Sequence, residues 1–515
     1  MVGRLGQNGL PGGAVPANAP PEVSATPKLP PTTRPGLRLG GAAAALGLAA
    51  LAFLFPGPIT ILLAVVLVAQ ATLTLAHLWT SVVQTVAPVI ERPRVGNDRP
   101  CVFSVQIATH DEPPALVIAT LESLVAQIGP PPFEVIVMDN NTADPRAWHP
   151  VRAWCAARGR RFRFLHRDDV VGAKAGALNI ALAETDPAAT HVVVVDADYQ
   201  MTPDFLANAA QALRVHGADF VQFPQAYRFA ETAAGLALEL SDYFTRHARV
   251  ADAADAMLLT GTLSVIDRHA LVAAGGWSAA TLTEDAALGL RLRAMGYHGR
   301  LDSRVGGRGL LPLDFAGLAS QRYRWAAGNL ASLGGIVRLP SRTAAHVFAQ
   351  LTAWTNLALP ATACLAGAWL RLVQVGSDAA DPASSRVVGL ATLCLCLVLL
   401  GAVAPLIATA PRAGTRPVLA AAAARIALLP SAARGTVDGL LGTAGSFRRT
   451  PKSPAGARDT VPALLIVLAG LGLAMLVLPA GGPLARLGAG LLILPAAGAL
   501  LTARLLANYR AALAA

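Results

Sequence analysis

A parallel α/β domain set between two groups of apolar helices is the architecture this sequence predicts. Three observations carry it. Apolar runs long enough to cross a bilayer lie towards both ends of the chain, a charged stretch separates them, and within that stretch short β-branched runs alternate with helical patterns. The bulk figures agree. Hydrophobic residues make up 54% of the 515 and charged residues only 14%, against about 25% in a globular domain. With a mean hydropathy of +0.50, this excludes an ordinary soluble enzyme of the same length. The net charge of +11 reflects the positive-inside bias of membrane proteins rather than nucleic-acid binding, because the basic residues sit beside apolar runs. Five cysteines without a CxxC pair exclude a disulfide scaffold.

Taken in order, residues 1–36 are rich in Pro, Gly and Ala without apolar periodicity, which predicts a disordered tail. Residues 37–90 hold two apolar runs, Leu39–Phe55 and Ile59–Val83, split by Pro56-Gly57-Pro58; they predict a pair of transmembrane helices. Residues 91–340 carry the α/β pattern. Phe103–Thr109, Glu134–Asp139 and His191–Asp196 read as buried strands with polar ends, and Leu116–Gln127, Gly172–Glu184 and Thr202–Val215 read as helices. Ligands bind at the carboxyl ends of such strands, so one cleft is expected to gather the polar ends.

Residues 341–410 hold two further apolar runs, Ala345–Leu370 and Val387–Thr409. Residues 411–460 are basic, and within them Val418–Leu441 is amphipathic, which predicts helices lying in the membrane interface. Residues 461–515 add the runs Val461–Pro479 and Leu484–Leu506 and a short tail. Six spans place the α/β domain, both termini and the basic segment on the cytoplasmic side, with the linker Gly376–Arg386 opposite.

Several clusters have the composition of a reactive site. Asp196-Ala197-Asp198 ends a strand of valines, where two carboxylates can hold a hard divalent cation and, through it, a diphosphate. Thr283-Glu284-Asp285 opens a helical pattern and by itself reads first as an N-cap with acids in the first turn, a position that also suits a base. In Gln321-Arg322-Tyr323-Arg324-Trp325, helical spacing puts Gln321, Arg324 and Trp325 on one face. That face suits a diphosphate and a sugar ring; an interfacial Trp/Arg belt is the alternative. Of 42 basic residues only Lys28, Lys174 and Lys452 are lysine, which singles out Lys174 as a point charge for a phosphate or a carboxylate. Thr109-His110-Asp111-Glu112 and Asp139-Asn140-Asn141-Thr142 end the first two strands; they suit a nucleoside, or ordinary turns.

The order and spacing of these motifs resemble the family 2 glycosyltransferases, within them the processive, membrane-embedded cellulose-synthase-like group. Asp139-Asn140-Asn141-Thr142, Lys174-Ala175-Gly176-Ala177-Leu178-Asn179, Gln222-Phe223-Pro224-Gln225, Gly261-Thr262 and Gly307-Arg308-Gly309-Leu310 are similar to bacterial β-1,3-type glucan synthases. The resemblance implies a GT-A (Rossmann-like) domain inserted in a transmembrane bundle of about six spans. It implies inverting transfer of a sugar, glucose by family, from a UDP-sugar to a growing polysaccharide coupled to export. A single addition to a lipid-linked acceptor, or a non-catalytic transporter or scaffold, stands as the alternative. By the family pattern Thr109, Glu112 and Asp139 contact the nucleoside, and Lys174, Asp196 and Arg324 the nucleotide sugar. Asp196 and Asp198 hold Mg²⁺ or Mn²⁺, Asp285 with Glu284 supplies the catalytic base, and Gln321 and Trp325 hold the acceptor. Phe447-Arg448-Arg449-Thr450-Pro451-Lys452 resembles the family's gating loop, which brings Thr450 and Lys452 to the diphosphate. The implied setting is the inner (plasma) membrane, with the bilayer and periplasmic or envelope accessory proteins as partners and no nucleic acid.

Overall fold

The structure, a computed structural model, describes residues 40–86, 100–376, 378–445, 452, 457, 461–478 and 480–514. The tail expected over 1–36 and Thr450 lie outside the described residues. Helices α1 (Gly40–Leu54) and α2 (Pro56–Val86) come first. The α/β domain then runs through β1 (Phe103–Thr109), α3 (Pro114–Val125), β2 (Phe133–Asn140), α4 (Pro145–Ala157), β3 (Phe162–Arg167), α5 (Ala173–Ala183), β4 (His191–Val194), β5 (Gln200–Met201) and α6 (Phe205–His216). It continues through β6 (Phe220–Gln222), β7 (Ala226–Tyr227), α7 (Ala234–Asp242), a π-helical stretch Tyr243–Ala248, α8 (Arg249–Ala253), β8 (Ser264–Asp267), α9 (Arg268–Ala273), α10 (Glu284–Ala294), β9 (Gly299–Leu301), β10 (Gly307–Gly309) and α11 (Phe315–Ala331). After it come α12 (Ser341–Leu351), α13 (Ala358–Val375), α14 (Pro382–Ile407), α15 (Ala410–Ala413), α16 (Thr415–Leu440), α17 (Ala463–Val477) and α18 (Gly482–Ala514).

The main sheet has the order β3-β2-β1-β4-β8-β6-β9, and β5-β10-β7 form a second, small sheet. Strands β3, β2, β1 and β4 are parallel, whereas β8 runs antiparallel to both β4 and β6. Alternation along the strands explains the layers. Val193 and Val195 enter the core beneath α3 and α6, while Val192 and Val194 enter the core on the opposite face. A strand buried on both faces reads as a continuous apolar run, which is why four valines stand together. Register places Thr109 beside Asp139 on neighbouring strands. Polar strand ends therefore share one edge.

Among the described residues five helices are long and apolar enough to cross a membrane: Pro56–Val83, Ala358–Val375, Pro382–Ile407, Thr415–Leu440 and Gly482–Ala514. This departs from the six expected spans in three ways. α1 and α17 have 15 residues each, roughly 22 Å of helix against about 30 Å of hydrocarbon. The apolar run from Ala345 is broken before Ala358: the Asn356 Oδ1 accepts from Ala358 N at 3.1 Å and Gln70 Oε1 accepts from Leu357 N at 2.9 Å, so polar side chains take over the backbone and α13 starts late. The segment expected as interfacial helices is one 26-residue helix, α16. It lies between α7 and α11 of the α/β domain on one side and α14 and α18 on the other.

Small residues and charge hold α16 in that place. A Cβ on Gly435 would lie 2.5 Å from Tyr323 O, and one on Gly235 would lie 2.3 Å from the Ala420 Cβ, so α11 and α7 approach it closely. Beside these contacts Arg425 donates through Nε to Glu239 Oε1 and through Nη1 to Asp242 Oδ2, each at 2.9 Å. Arg322 forks onto the same Glu239 at 2.9 and 2.7 Å. Arg246 bonds Asp242 at 2.6 Å and reaches Thr80 Oγ1 on α2 at 3.0 Å. Burial alone would raise the Glu239 carboxyl, but Arg322 and Arg425 hold it below the usual range. Removing one partner of such a network leaves an uncompensated buried charge. Arg425→Ala is therefore expected to lower unfolding stability in detergent by roughly 3–5 kcal/mol; denaturation indistinguishable from the unsubstituted protein would show that the network does not secure the junction.

Candidate active site

The carboxyl edge of the sheet opens into a cleft of about 710 Å³. Each wall has a local cause. β1 ends at Thr109, and the loop behind it brings Glu112 in. β4 runs into Asp196, whose backbone N–H donates to Thr262 Oγ1 at 2.9 Å, fixing the turn that presents Asp196 and Asp198. Gly172, with φ of 92°, starts α5 and sets Lys174 in its first turn. Glu284 and Asp285 occupy the first turn of α10, and Gln321, Arg324 and Trp325 share the inward face of α11. Lys452 arrives from the segment before α17.

Five carboxylates, Glu112, Asp196, Asp198, Glu284 and Asp285, thus line one cleft with three cations, Lys174, Arg324 and Lys452. Lys174 Nζ donates to Asp196 Oδ1 at 2.5 Å and lies 3.9 Å from Glu284 Oε1. Lys452 Nζ donates to Asp198 Oδ1 at 2.8 Å and lies 3.5 Å from Glu112 Oε1. Leu310 N donates to Asp198 Oδ2 at 2.9 Å, so the residue just after β10 anchors the second aspartate. Burial alone would lower the Lys174 ammonium, but Asp196 and Glu284 hold it above its ordinary range. Burial would raise Asp196, but Lys174 and Lys452 hold it low. Asp285 goes the other way. Burial and then the adjacent Glu284 push it up to about 7, the range of a proton acceptor working near neutrality. Gly261 makes room for it: φ is +89°, and a Cβ there would lie 3.2 Å from Asp285 Oδ2.

Most of the expected site residues therefore meet, and one stands back. Asp139 is buried behind the cleft surface, where Oδ1 accepts from Thr109 and Thr142 at 2.9 Å each and Oδ2 lies 2.8 Å from His166 Nδ1. It orders the strand ends from behind, and Thr109 takes the cleft position. Trp325 stacks on Trp354 with centroids 5.4 Å apart, and the Gln321 Oε1 is buried without a hydrogen-bond partner among the described residues. His166, Thr262 and Trp354 were not singled out from sequence as carrying these contacts. A Gly261-Thr262 pair was a usable signal, whereas His166 and Trp354 are brought in only by tertiary packing.

A hard cation has a partial donor set here. Among the described residues no group of three or more His, Cys, Asp or Glu is placed to hold a metal. Asp196 and Asp198 supply carboxylate oxygens of the right chemistry, and a small divalent cation commonly takes one or two carboxylates and completes its shell from substrate phosphates. The residues fit Mg²⁺ or Mn²⁺ jointly with a diphosphate. Mn²⁺ titrated alone is expected to bind weakly, and at least about tenfold more tightly once a nucleoside diphosphate is present; equal affinity in both conditions would contradict a shared site.

Residues 104–273 match the model described as Glycosyl transferase family 2, and residues 191–408 match Glycosyl transferase family group 2. The chain is 29% identical over 202 residues to Glucomannan 4-beta-mannosyltransferase 2 of Arabidopsis thaliana, covering 37% of this chain and 38% of that protein. It is 29% identical over 204 residues to Glucomannan 4-beta-mannosyltransferase 1 of Oryza sativa subsp. japonica, covering 38% and 39%. The matches thus span less than half the length of these curated relatives. Among solved structures it is similar to the mannosyltransferase PcManGT from Pyrobaculum calidifontis, solved with GDP-Man and Mn²⁺, with a TM-score of 0.48, 20% identity and coverage of 75% of this chain and 99% of that one. Over residues 104–408 the chain is similar to the family 2 glycosyltransferases, and its α/β domain has a GT-A-like fold.

Proposed function

We propose that this chain is a membrane-embedded, inverting hexosyltransferase that moves a sugar from a nucleoside diphosphate donor to a β-linked glycan. The carrying observation is the single cleft in which a near-neutral carboxyl, Asp285, faces lysine-paired aspartates and the Gln321–Trp325 face. In this reading Asp285 takes the proton from the acceptor hydroxyl as that oxygen attacks the anomeric carbon, and the α-linked donor yields a β-linked product. Lys174, Arg324 and Lys452 meet the charge that develops on the departing diphosphate. Mg²⁺ or Mn²⁺ at Asp196 and Asp198 would add charge neutralisation there when bound. Thr109 and Glu112 hold the nucleoside end, with Asp139 setting Thr109, and Glu284 tunes Asp285. Thr450, named with Lys452 from the loop resemblance, belongs to the same reading.

The finer reading is glucose from a UDP donor built into an exported β-glucan by a cytoplasmic domain at the inner membrane. It rests on the motifs similar to β-1,3-type glucan synthases and on helices long enough to span a bilayer. The similarity to glucomannan mannosyltransferases favours a mannosyl variant of the same chemistry. Addition of a single sugar to a lipid-linked acceptor is the alternative reading.

Three experiments test the reading. Asp285→Asn is expected to reduce transfer by about 10²–10⁴-fold with nucleotide binding retained. In the unsubstituted protein kcat/KM should fall as pH drops below about 7, because the acceptor's proton needs an ionised Asp285; a flat profile from pH 5 to 8, or an active Asn variant, removes the base assignment. Trp325→Ala is expected to shorten products more than it slows donor hydrolysis. Equal loss of both would favour single addition over polymer growth.

A further inference from the structure

A second cavity, about 560 Å³ in volume, lies behind the cleft. It sits between the run α7–π-helix–α8 and the segment leading into β10, and the side chains of Gln225 and Tyr227 border both spaces. Along the helical wall Leu238, Ser241, Thr245 and Arg249 fall at i, i+3, i+7 and i+11, one continuous face. Over 11 residues that face extends roughly 16 Å.

Its two ends differ in character. Leu238 packs with Leu406, Ala421 and Ala422, at the joint between α14 and α16, so this end abuts the apolar helices. At the other end Arg249 and Arg308 are exposed, and neither guanidinium has an ion-pair partner among the described residues. The nearby acid cannot answer them, since Asp252 Oδ1 is taken by Arg300 at 2.8 Å. Phe244, Val250 and Val305 make the walls between. A free phosphate would leave the apolar length unused, and a neutral hydrocarbon would leave two arginines unanswered. The volume lies within the range of small-molecule sites.

We propose that this cavity binds an anionic phospholipid, with an acyl chain along the Leu238–Arg249 face and the acidic head at Arg249 and Arg308. The lipid then rests on Gln225 and Tyr227, the side chains that also wall the catalytic cleft. This inference rests on the membrane placement proposed above and is independent of the transferase assignment.

The test uses the full chain reconstituted into vesicles of phosphatidylcholine, with a trace of photo-cross-linkable phosphatidylglycerol or phosphatidylcholine carrying the reactive group in the acyl chain. Labelling of the peptide spanning residues 234–253 should strongly favour the phosphatidylglycerol probe. Arg249→Gln and Arg308→Gln should each weaken that labelling about fivefold. Ser241→Trp, which adds no charge, should fill the cavity and abolish it. Labelling indifferent to the head group, or unchanged in the arginine variants, overturns the proposal. Competition by millimolar inorganic phosphate also overturns it, by marking the site as one for free anions. Should Ser241→Trp fail to incorporate, the exposed arginine variants carry the test. Failure of the unsubstituted chain to enter vesicles would instead strike at the membrane placement.

Discussion

Carboxylates gathered in a cleft of low dielectric repel one another, and the architecture of this protein turns on how that repulsion is met. A parallel sheet delivers the ends of β1, β2 and β4 to one edge, which brings Glu112, Asp196 and Asp198 close together. Glu284 and Asp285 join them from the first turn of α10, where the helix dipole favours negative charge. The compensating cations come from distant parts of the chain: Lys174 from α5, Arg324 from α11 and Lys452 from the segment before α17. Compensation is uneven. Asp196 is held ionised by two lysines, while the carboxyl of Asp285, buried and beside Glu284, is pushed up to about 7. That imbalance leaves one carboxyl in the range of a proton acceptor working near neutrality.

Helix α11 carries that arrangement into the helical bundle. Its inward face offers Gln321, Arg324 and Trp325 to the cleft, while Arg322 turns to Glu239, which Arg425 of α16 shares. The Arg322 guanidinium also lies 3.9 Å from the centre of the Trp354 ring, on which Trp325 stacks. One helix thus ties the Trp325 side of the cleft to α16, and α2 is tied in through Arg246. A small displacement of α16 would be felt at Trp325, because close-packed contacts and shared ion pairs leave little room for independent movement.

Much of this was legible in the sequence because it rests on local rules. The valine run of β4, the Asp-x-Asp at its end and the helical spacing of Gln321, Arg324 and Trp325 each declare themselves within a few residues. The antiparallel β8 and the small sheet β5-β10-β7 did not, since strands of two to four residues carry almost no periodicity and are defined by partners far away. The late start of α13 was hidden because Gln70, 287 residues before Leu357, supplies the group that breaks the apolar run. Asp139 looked like a ligand contact from its place at a strand end; His166 and Thr142, which engage it, could be assigned only once β2 and β3 were paired.

The central claim is that the carboxylates of this cleft receive a nucleoside diphosphate sugar. The most direct measurement is incubation of membranes carrying the full chain with radiolabelled UDP-glucose, UDP-galactose or GDP-mannose in the presence of Mg²⁺ or Mn²⁺, followed by digestion of the product with linkage-specific glycosidases. Transfer of label from one donor class into β-linked material, suppressed by the matching unlabelled nucleoside diphosphate, is the predicted result. Folded protein that transfers label from none of these donors with either cation present would contradict it.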